Sequence, residues 1–209
     1  MIRNIIFDMG GVILPVREIE EPIRRFSQIG MNEDLARQLF SLYGQQGIFL
    51  EAECGSLSAE EFIEAYHKLT GYPATFEEIE WAWSGFICDP PRERLQWLNQ
   101  LRADGYHVAL LSNTNPFVMR HCDCGDFTPE GKPIGDFFDR LYYSYHLGAC
   151  KPNPLAFRRM LELGGYQADE CLFLDDGLRN VEAARREGLH ALHVPDNQDW
   201  ILPLRNVLK

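Results

Sequence analysis

Residues 4–7 (Asn-Ile-Ile-Phe) form a short apolar run that breaks at Asp8 and meets Gly10-Gly11, the pattern of a buried strand entering a tight turn. Three later runs repeat it: 106–111 ends at Ser112-Asn113, 171–174 at Asp175-Asp176, and 189–194 at Pro195; residues 141–144 are a weaker fifth candidate. Amphipathic helical patterns separate these runs, at 92–103 (apolar at Leu95, Trp97, Leu98 and Leu101), 154–163 and 178–187. Alternating strands and helices predict a parallel sheet with helices on both faces. The polar residues gather at the carboxyl ends of the strands, where open α/β sheets place their sites.

Residues 16–88 break the rhythm. They carry helical patterns at 19–29, 33–43, 58–69 and 76–87 and no convincing strand. Ser58, followed by Glu60 and Glu61, marks a helix N-terminus with acidic residues in its first turn. The organisation expected is an α/β core from residues 1–14 and 90–209, with residues 15–89 inserted as a helical cap. Trp81 and Trp83 read more readily as packing within the cap than as lining a ligand pocket. The segment Trp200-Ile201-Leu202 is expected to pack back on the core.

With 209 residues and 45% hydrophobic content, the chain can bury a sizeable core. Its formal net charge of −11 makes it a poor partner for nucleic acid or an anionic membrane, since both depend on clustered Lys and Arg. No apolar run approaches the roughly 18 residues that span a bilayer. The first apolar run stops at Asp8, unlike an export signal. The six cysteines therefore read as reduced thiols of a cytoplasmic protein.

Four segments carry chemistry. Asp8, at the end of a buried strand, is either a turn residue or a nucleophile and metal ligand, with glycines that let backbone approach a phosphoryl group. Ser112 and Asn113 are either helix-cap residues or donors to phosphoryl oxygens. Lys151, before a proline-started helix, is either solvated or a point charge reaching back into a site. Asp175 and Asp176 repel each other after a buried strand unless a hard cation such as Mg2+ relieves them.

In this order the segments Asp8-x-Gly10, Ser112-Asn113, Lys151-Pro152 and Asp175-Asp176-x-x-x-Asn180 resemble the four motifs of the haloacid-dehalogenase superfamily. The nearest pattern is that of the bacterial α-glucose-1-phosphate phosphatase group, with Phe-Asp-x-Gly, Leu-Ser-Asn-Thr-Asn and Phe-x-Asp-Asp-x-x-x-Asn. The resemblance implies a three-layer Rossmann-like core with a five-stranded sheet and an inserted cap of the C1 type. It implies a Mg2+-dependent hydrolase of a small phosphorylated metabolite, such as a sugar 1-phosphate. By the same resemblance Asp8 attacks phosphorus and forms an aspartyl-phosphate, and the Gly10 carbonyl helps bind Mg2+. Ser112 and Asn113 orient phosphoryl oxygens, and Lys151 neutralises the nucleophile and the transferring group. Asp176 is the main metal ligand of the last motif, Asp175 a ligand through water or a support, and Asn180 a support for the loop.

One position departs from the pattern. Most phosphatases of the superfamily carry a second Asp two residues after the nucleophile, which protonates the leaving oxygen; here that position is Gly10. Cap residues Glu18, Glu51, Glu53 and His67 are candidates to replace it. Gly10 also allows a catalytically weak protein that binds phosphorylated ligands, and a metal-independent dehalogenase is a third reading. Against the last, three carboxylates would repel a haloacid. The stretch His121-Cys122-Asp123-Cys124 lacks a second Cys/His pair at zinc spacing and reads as an irregular surface loop. The Gly-, Pro- and Asp-rich stretch 122–135 could edge the active site.

Overall fold

A computed structural model describes residues 1–41, 44–195 and 197–208. Its five strands are β1 (Asn4–Phe7), β2 (His107–Ser112), β3 (Arg140–Tyr143), β4 (Cys171–Asp175) and β5 (His190–His193). They form one parallel sheet in the order β3-β2-β1-β4-β5. Each expected strand is present within one or two residues of its predicted ends.

The period-2 alternation of the central strands divides two apolar layers. Ile5 and Phe7, Val108 and Leu110, and Leu172 and Leu174 pack on one face. Ile6, Ala109 and Leu111, and Phe173 pack on the other, against Phe157 and Met160. Of the helices predicted to cover the sheet, α6 spans Arg92–Ala103, α9 Pro154–Gly164 and α10 Leu178–Arg186. Short helices α7 (Pro116–Cys122) and α8 (Ser144–Leu147) follow β2 and β3; neither is long enough to show a clear helical period in the sequence.

Among the described residues between β1 and α6 lie the α-helices α1 (Glu20–Gln28), α2 (Glu33–Leu39), α3 (Gly47–Glu53), α4 (Ala59–Thr70) and α5 (Phe76–Trp83). Ser58 and Glu61 form a reciprocal capping box on α4, and Thr75 and Glu78 form one on α5. The two chain passages into and out of this insertion run antiparallel, with Val16 bridged to Ile87 and Cys88 N–H donating to the Pro15 carbonyl at 2.9 Å. The insertion has its own aromatic core, in which Trp83 packs against Phe26, Phe49 and Phe62.

Several local expectations need correction. The helix expected over 33–43 ends at Leu39, because Phe40 turns to an extended conformation that buries its ring; Leu42 and Tyr43 lie outside the described residues. The helix expected over 76–87 stops at Trp83 and tightens into a 3-10 turn over Ser84–Phe86. Helix α3 was not anticipated: it starts at a glycine with φ of 54°, has no side-chain N-cap and is only 7 residues long. Trp83 is buried in the insertion, but Trp81 is exposed beneath the Arg25 guanidinium. His121 and Cys122 are not loop residues: they close α7, and the Cys122 side chain is fully buried.

The C-terminal helix α11 (Ile201–Val207) follows Trp200, which is fully buried beside Phe7 and donates its ring N–H to the Val12 carbonyl at 3.0 Å. Leu202 turns outward. Arg94 on α6 fastens the same region, its guanidinium reaching the carbonyls of Val12, Asn197 and Gln198 at 2.7–3.1 Å. The turn after β1 is thus clamped from two sides. Among the described residues no helix is long and apolar enough to cross a membrane.

Candidate active site

Strand register explains why the acidic motifs meet. Phe7 of β1 lies opposite Leu174 of β4, and Asp8 N–H continues the ladder by donating to the Leu174 carbonyl at 2.8 Å. Asp8 and Asp175 therefore leave the sheet side by side. The oxygens of Asp8, Asp175 and Asp176 come within 4.8 Å of one another.

Lys151 enters this cluster from the other side of β1. Its main chain is held to the end of β2 by a reciprocal pair: Asn113 Nδ2 donates to the Lys151 carbonyl, and Lys151 N–H donates to Asn113 Oδ1, both at 2.8 Å. The Asn113 side chain is therefore used to seat the lysine. Lys151 Nζ then lies 2.8 Å from Asp8 Oδ1 and 2.7 Å from Asp175 Oδ2. It also sits over the Phe173 ring at 5.2 Å.

Asp175 is 0% exposed, and both of its oxygens are occupied. Oδ2 takes Lys151, while Oδ1 accepts from Gly177 N–H at 2.8 Å and Asn180 Nδ2 at 2.9 Å. This arrangement orients the lysine and the loop after β4. Asp176 lies against Gly11, a close approach the sequence did not reveal. A Cβ on Gly11 would stand 2.4 Å from Asp176 Oδ2, and Gly11 has φ of 73°. The second glycine of the Gly10-Gly11 pair thus makes room for a carboxylate. Gly10 is different: its φ is not left-handed, and a Cβ there would meet only Val16 at 3.4 Å, an ordinary contact.

The electrostatics call for another positive charge. Burial pushes the Asp8 carboxyl up to about 6, although Lys151 opposes the rise, and the charge of Asp175 adds to it. Burial alone would lower Lys151, but Asp175 and Asp8 outweigh it and hold the ammonium above its usual range. Lys151 answers Asp8 and Asp175, and a third carboxylate, Asp176, has an oxygen within 4.8 Å of theirs. Hard carboxylate oxygens in this number fit a hard divalent cation such as Mg2+.

The cluster opens into a cavity of about 1000 Å3 between the sheet end and the helical insertion. Ser112, 2% exposed at the end of β2, and Gly10 line it, as do Thr114 and Asn115. Asn115 caps α7, accepting from the N–H groups of Phe117 and Val118. Of the four cap residues considered as acids, Glu53 lines the cavity; Glu18, Glu51 and His67 are exposed elsewhere. No residue of 122–135 lines it.

A pair of thiols went unnoticed in the sequence. Cys54 at the end of α3 and Cys150 beside Lys151 bring their Sγ atoms to 2.6 Å in the cavity wall. Their 96-residue separation gave no local signal. Among the described residues, the cysteines near His121 take part in no cluster of three or more metal-binding side chains.

Residues 2–188 match the family described as haloacid dehalogenase-like hydrolase. The chain is 39% identical over 208 residues to the D-ribitol-5-phosphate phosphatase of Bacteroides thetaiotaomicron, covering 100% of this chain and 99% of the relative. A haloacid-dehalogenase-like hydrolase from Porphyromonas gingivalis superposes with a TM-score of 0.91 at 38% identity, covering 100% of this chain and 98% of the other. A haloacid-dehalogenase family enzyme of Bacteroides thetaiotaomicron, solved with magnesium and inorganic phosphate, superposes with a TM-score of 0.86 at 30% identity, covering 98% and 100%. An L-2-haloacid dehalogenase of Xanthobacter autotrophicus shares the fold at 18% identity and a TM-score of 0.59. The motif order, the sheet topology and these matches agree, and the chain belongs to the haloacid dehalogenase-like hydrolase family.

Proposed function

We propose that this protein is a Mg2+-dependent phosphomonoesterase of a small phosphorylated polyol or sugar, with Asp8 as nucleophile. The observation that carries this reading is Lys151 Nζ held between Asp8 and Asp175, with Asp176 beside them, at the floor of a cavity large enough for a small metabolite. A phosphoryl group needs such positive charge gathered around it, because its transfer depends on positioning and electrostatic stabilisation.

Asp8, Asp176 and the Gly10 carbonyl would hold Mg2+, with Asp175 orienting the set. Bound there, the cation neutralises carboxylate and phosphoryl charge. Lys151 keeps Asp8 deprotonated and faces the transferring oxygens, and Ser112 and the Asn113 main chain receive the remaining phosphoryl oxygens. Asn180 holds the β4 loop through Asp175. Residues 15–89 act as a cap on a core of residues 1–14 and 90–209, excluding water from the reacting atoms.

The 39% identical relative, named for a 5-phosphate of a sugar alcohol, supports a primary phosphate ester over a sugar 1-phosphate. The carboxylate cluster disfavours the dehalogenase reading. The test is phosphate release from ribitol 5-phosphate, glucose 1-phosphate and 4-nitrophenyl phosphate, with Mg2+, with chelator and with Asp8→Asn. Turnover needing both Mg2+ and Asp8 supports the proposal; turnover indifferent to either refutes it.

A further inference from the structure

The site as described has no group to protonate a leaving alkoxide. Gly10 has no side chain where relatives of the superfamily carry the acid, and Lys151 is already committed to two carboxylates. A primary alkyl phosphate is the ester that most needs such help, because an alkoxide leaves poorly. Among the described residues lining the cavity, three are acids: Asp8, Asp176 and Glu53. Two belong to the anionic floor, and the third comes from the cap.

We propose that Glu53 is the general acid–base residue of this enzyme, supplied by the cap in place of the missing side chain at position 10. The inference rests on the phosphatase reading and deepens it.

Three observations place Glu53 for this work. First, its main chain is locked to the core: Ser144 Oγ donates to the Glu53 carbonyl at 2.6 Å and accepts from Thr114 N–H at 3.0 Å. Two residues on, Gly55 has φ of 72°, and a Cβ there would collide with the Tyr145 carbonyl, so only glycine allows the end of α3 to seat so closely. The position of Glu53 relative to the sheet is therefore set by backbone contacts. Second, the side chain has a fixed neighbour. Gln45, itself buried, accepts the Ser41 N–H through Oε1 at 3.0 Å, which leaves its amide hydrogens to donate to the Glu53 carboxyl. A carboxylic acid that accepts at one oxygen presents its hydroxyl at the other. Third, the surroundings keep it protonated: burial is the main cause, with Cys54 and Asp8 adding to the rise against the Gln45 hydrogen bond, and together they push the carboxyl up to about 8.

The chemistry balances. Asp8 Oδ bonds to phosphorus while the ester P–O bond breaks, and its electron pair goes to the leaving oxygen, which takes the Glu53 proton and departs as an alcohol. Water then attacks the phosphorus of the aspartyl-phosphate as the bond to Asp8 breaks. Glu53, now a carboxylate, takes the water proton, and both acids are restored.

Rival donors in the cavity are His193 and Cys54. His193 Nε2 is engaged with the Asp176 carbonyl at 2.8 Å, and Cys54 Sγ with Cys150.

The experiment compares ribitol 5-phosphate with 4-nitrophenyl phosphate, whose phenolate leaves without a proton. In Glu53→Gln, turnover of the alkyl ester should fall roughly 10²–10³-fold. The aryl ester should still show a burst of about one nitrophenolate per enzyme, followed by slow release as the aspartyl-phosphate waits for a base. Adding Gly10→Asp to this variant puts a carboxyl where the cavity has room and should restore part of the alkyl-ester turnover. His193→Gln and Cys54→Ser should leave the alkyl-to-aryl ratio unchanged. Equal losses on both esters without a burst, or an ester-dependent loss in His193→Gln or Cys54→Ser instead, overturn the assignment. If Glu53→Gln does not fold, Glu53→Asp decides: the shortened carboxyl should lower alkyl-ester turnover several-fold more than aryl-ester turnover, and equal effects on both esters, or none, overturn the assignment. Failure of the phosphatase reading looks different, since the parent enzyme would then release no Asp8-dependent phosphate from either ester.

Discussion

Lys151 Nζ lies 2.7 Å from Asp175 Oδ2, and neither side chain is more than 1% exposed. The protein has buried a complete ion pair at the end of its sheet, and the same ammonium also holds Asp8. Isolated buried pairs stabilise little, but breaking one leaves a bare charge in low dielectric. Lys151→Ala should therefore cost roughly 3–5 kcal/mol in urea unfolding and abolish turnover. Asp175→Asn should also release the Gly177 and Asn180 contacts in part and slow turnover through a misplaced lysine.

Gly11 and Gly10 should respond in opposite ways. Gly11→Ala forces a Cβ into Asp176 and strains a left-handed residue, so Mg2+ binding, read by calorimetry, should weaken sharply. Gly10→Ala should leave Mg2+ binding and melting temperature close to those of the parent.

Glu53 trades stability for activity. Its ordinary value of 4.5 rises to about 8 in the folded chain, so between those pH values the folded state holds a proton that the unfolded state has lost. Its contribution to stability therefore falls as pH rises from about 4.5 to 8 and stays at its minimum above that range. Glu53→Gln should remove this loss: the variant should be more stable than the parent at pH 8, by on the order of a few kcal/mol, and match it near pH 4. Denaturant titrations across that range check the sign. Destabilisation of Glu53→Gln at pH 8 would instead mean that the fold favours the ionised carboxylate, against the raised value.

Arg94 should matter far from the chemistry. Its guanidinium serves carbonyls on the turn after β1 and on the segment before α11. Arg94→Met keeps the apolar stem but orphans those acceptors, with an expected cost of about 2–4 kcal/mol in thermal or urea unfolding.

The thiols of Cys54 and Cys150 should react together. Their contact holds the Cys54 thiol down to about 7, chiefly through the hydrogen bond with Cys150. Diamide, a two-electron oxidant, should join them with loss of two protons, tying the end of α3 to the residue before Lys151. Thiol counting and gel mobility should then show one crosslink, absent in Cys54→Ser and reversed by reductant.

The sheet was readable because five strands are signalled by apolar runs that end at polar residues, a local property of sequence. Asp8, Ser112, Asp175 and Asp176 stand at strand ends, where an apolar run breaks at a polar residue, whereas Lys151 lies in the loop before α9 and is marked only by the proline-started helix that follows it. What escaped depends on contacts between distant segments or on short elements. Helix α3 hid behind Gly47 and its short length, and with it the placement of Glu53, which the sequence left level with Glu18, Glu51 and His67. The seating of Gly11 against Asp176 joins residues 165 positions apart, and no periodicity encodes it. Sequence alone does not show that the Asn113 side chain also pairs reciprocally with the Lys151 main chain, Nδ2 donating and Oδ1 accepting across 38 positions.

The central claim is that Asp8 carries the phosphoryl group in a cation-dependent reaction. The direct measurement is rapid-quench mass spectrometry of the peptide containing Asp8 during turnover of ribitol 5-phosphate. The account predicts a hydroxylamine-labile phosphoryl group on Asp8 with Mg2+, absent with chelator and in Asp8→Asn. Phosphate release that persists in Asp8→Asn, or turnover without any acyl-phosphate on that peptide, would contradict it.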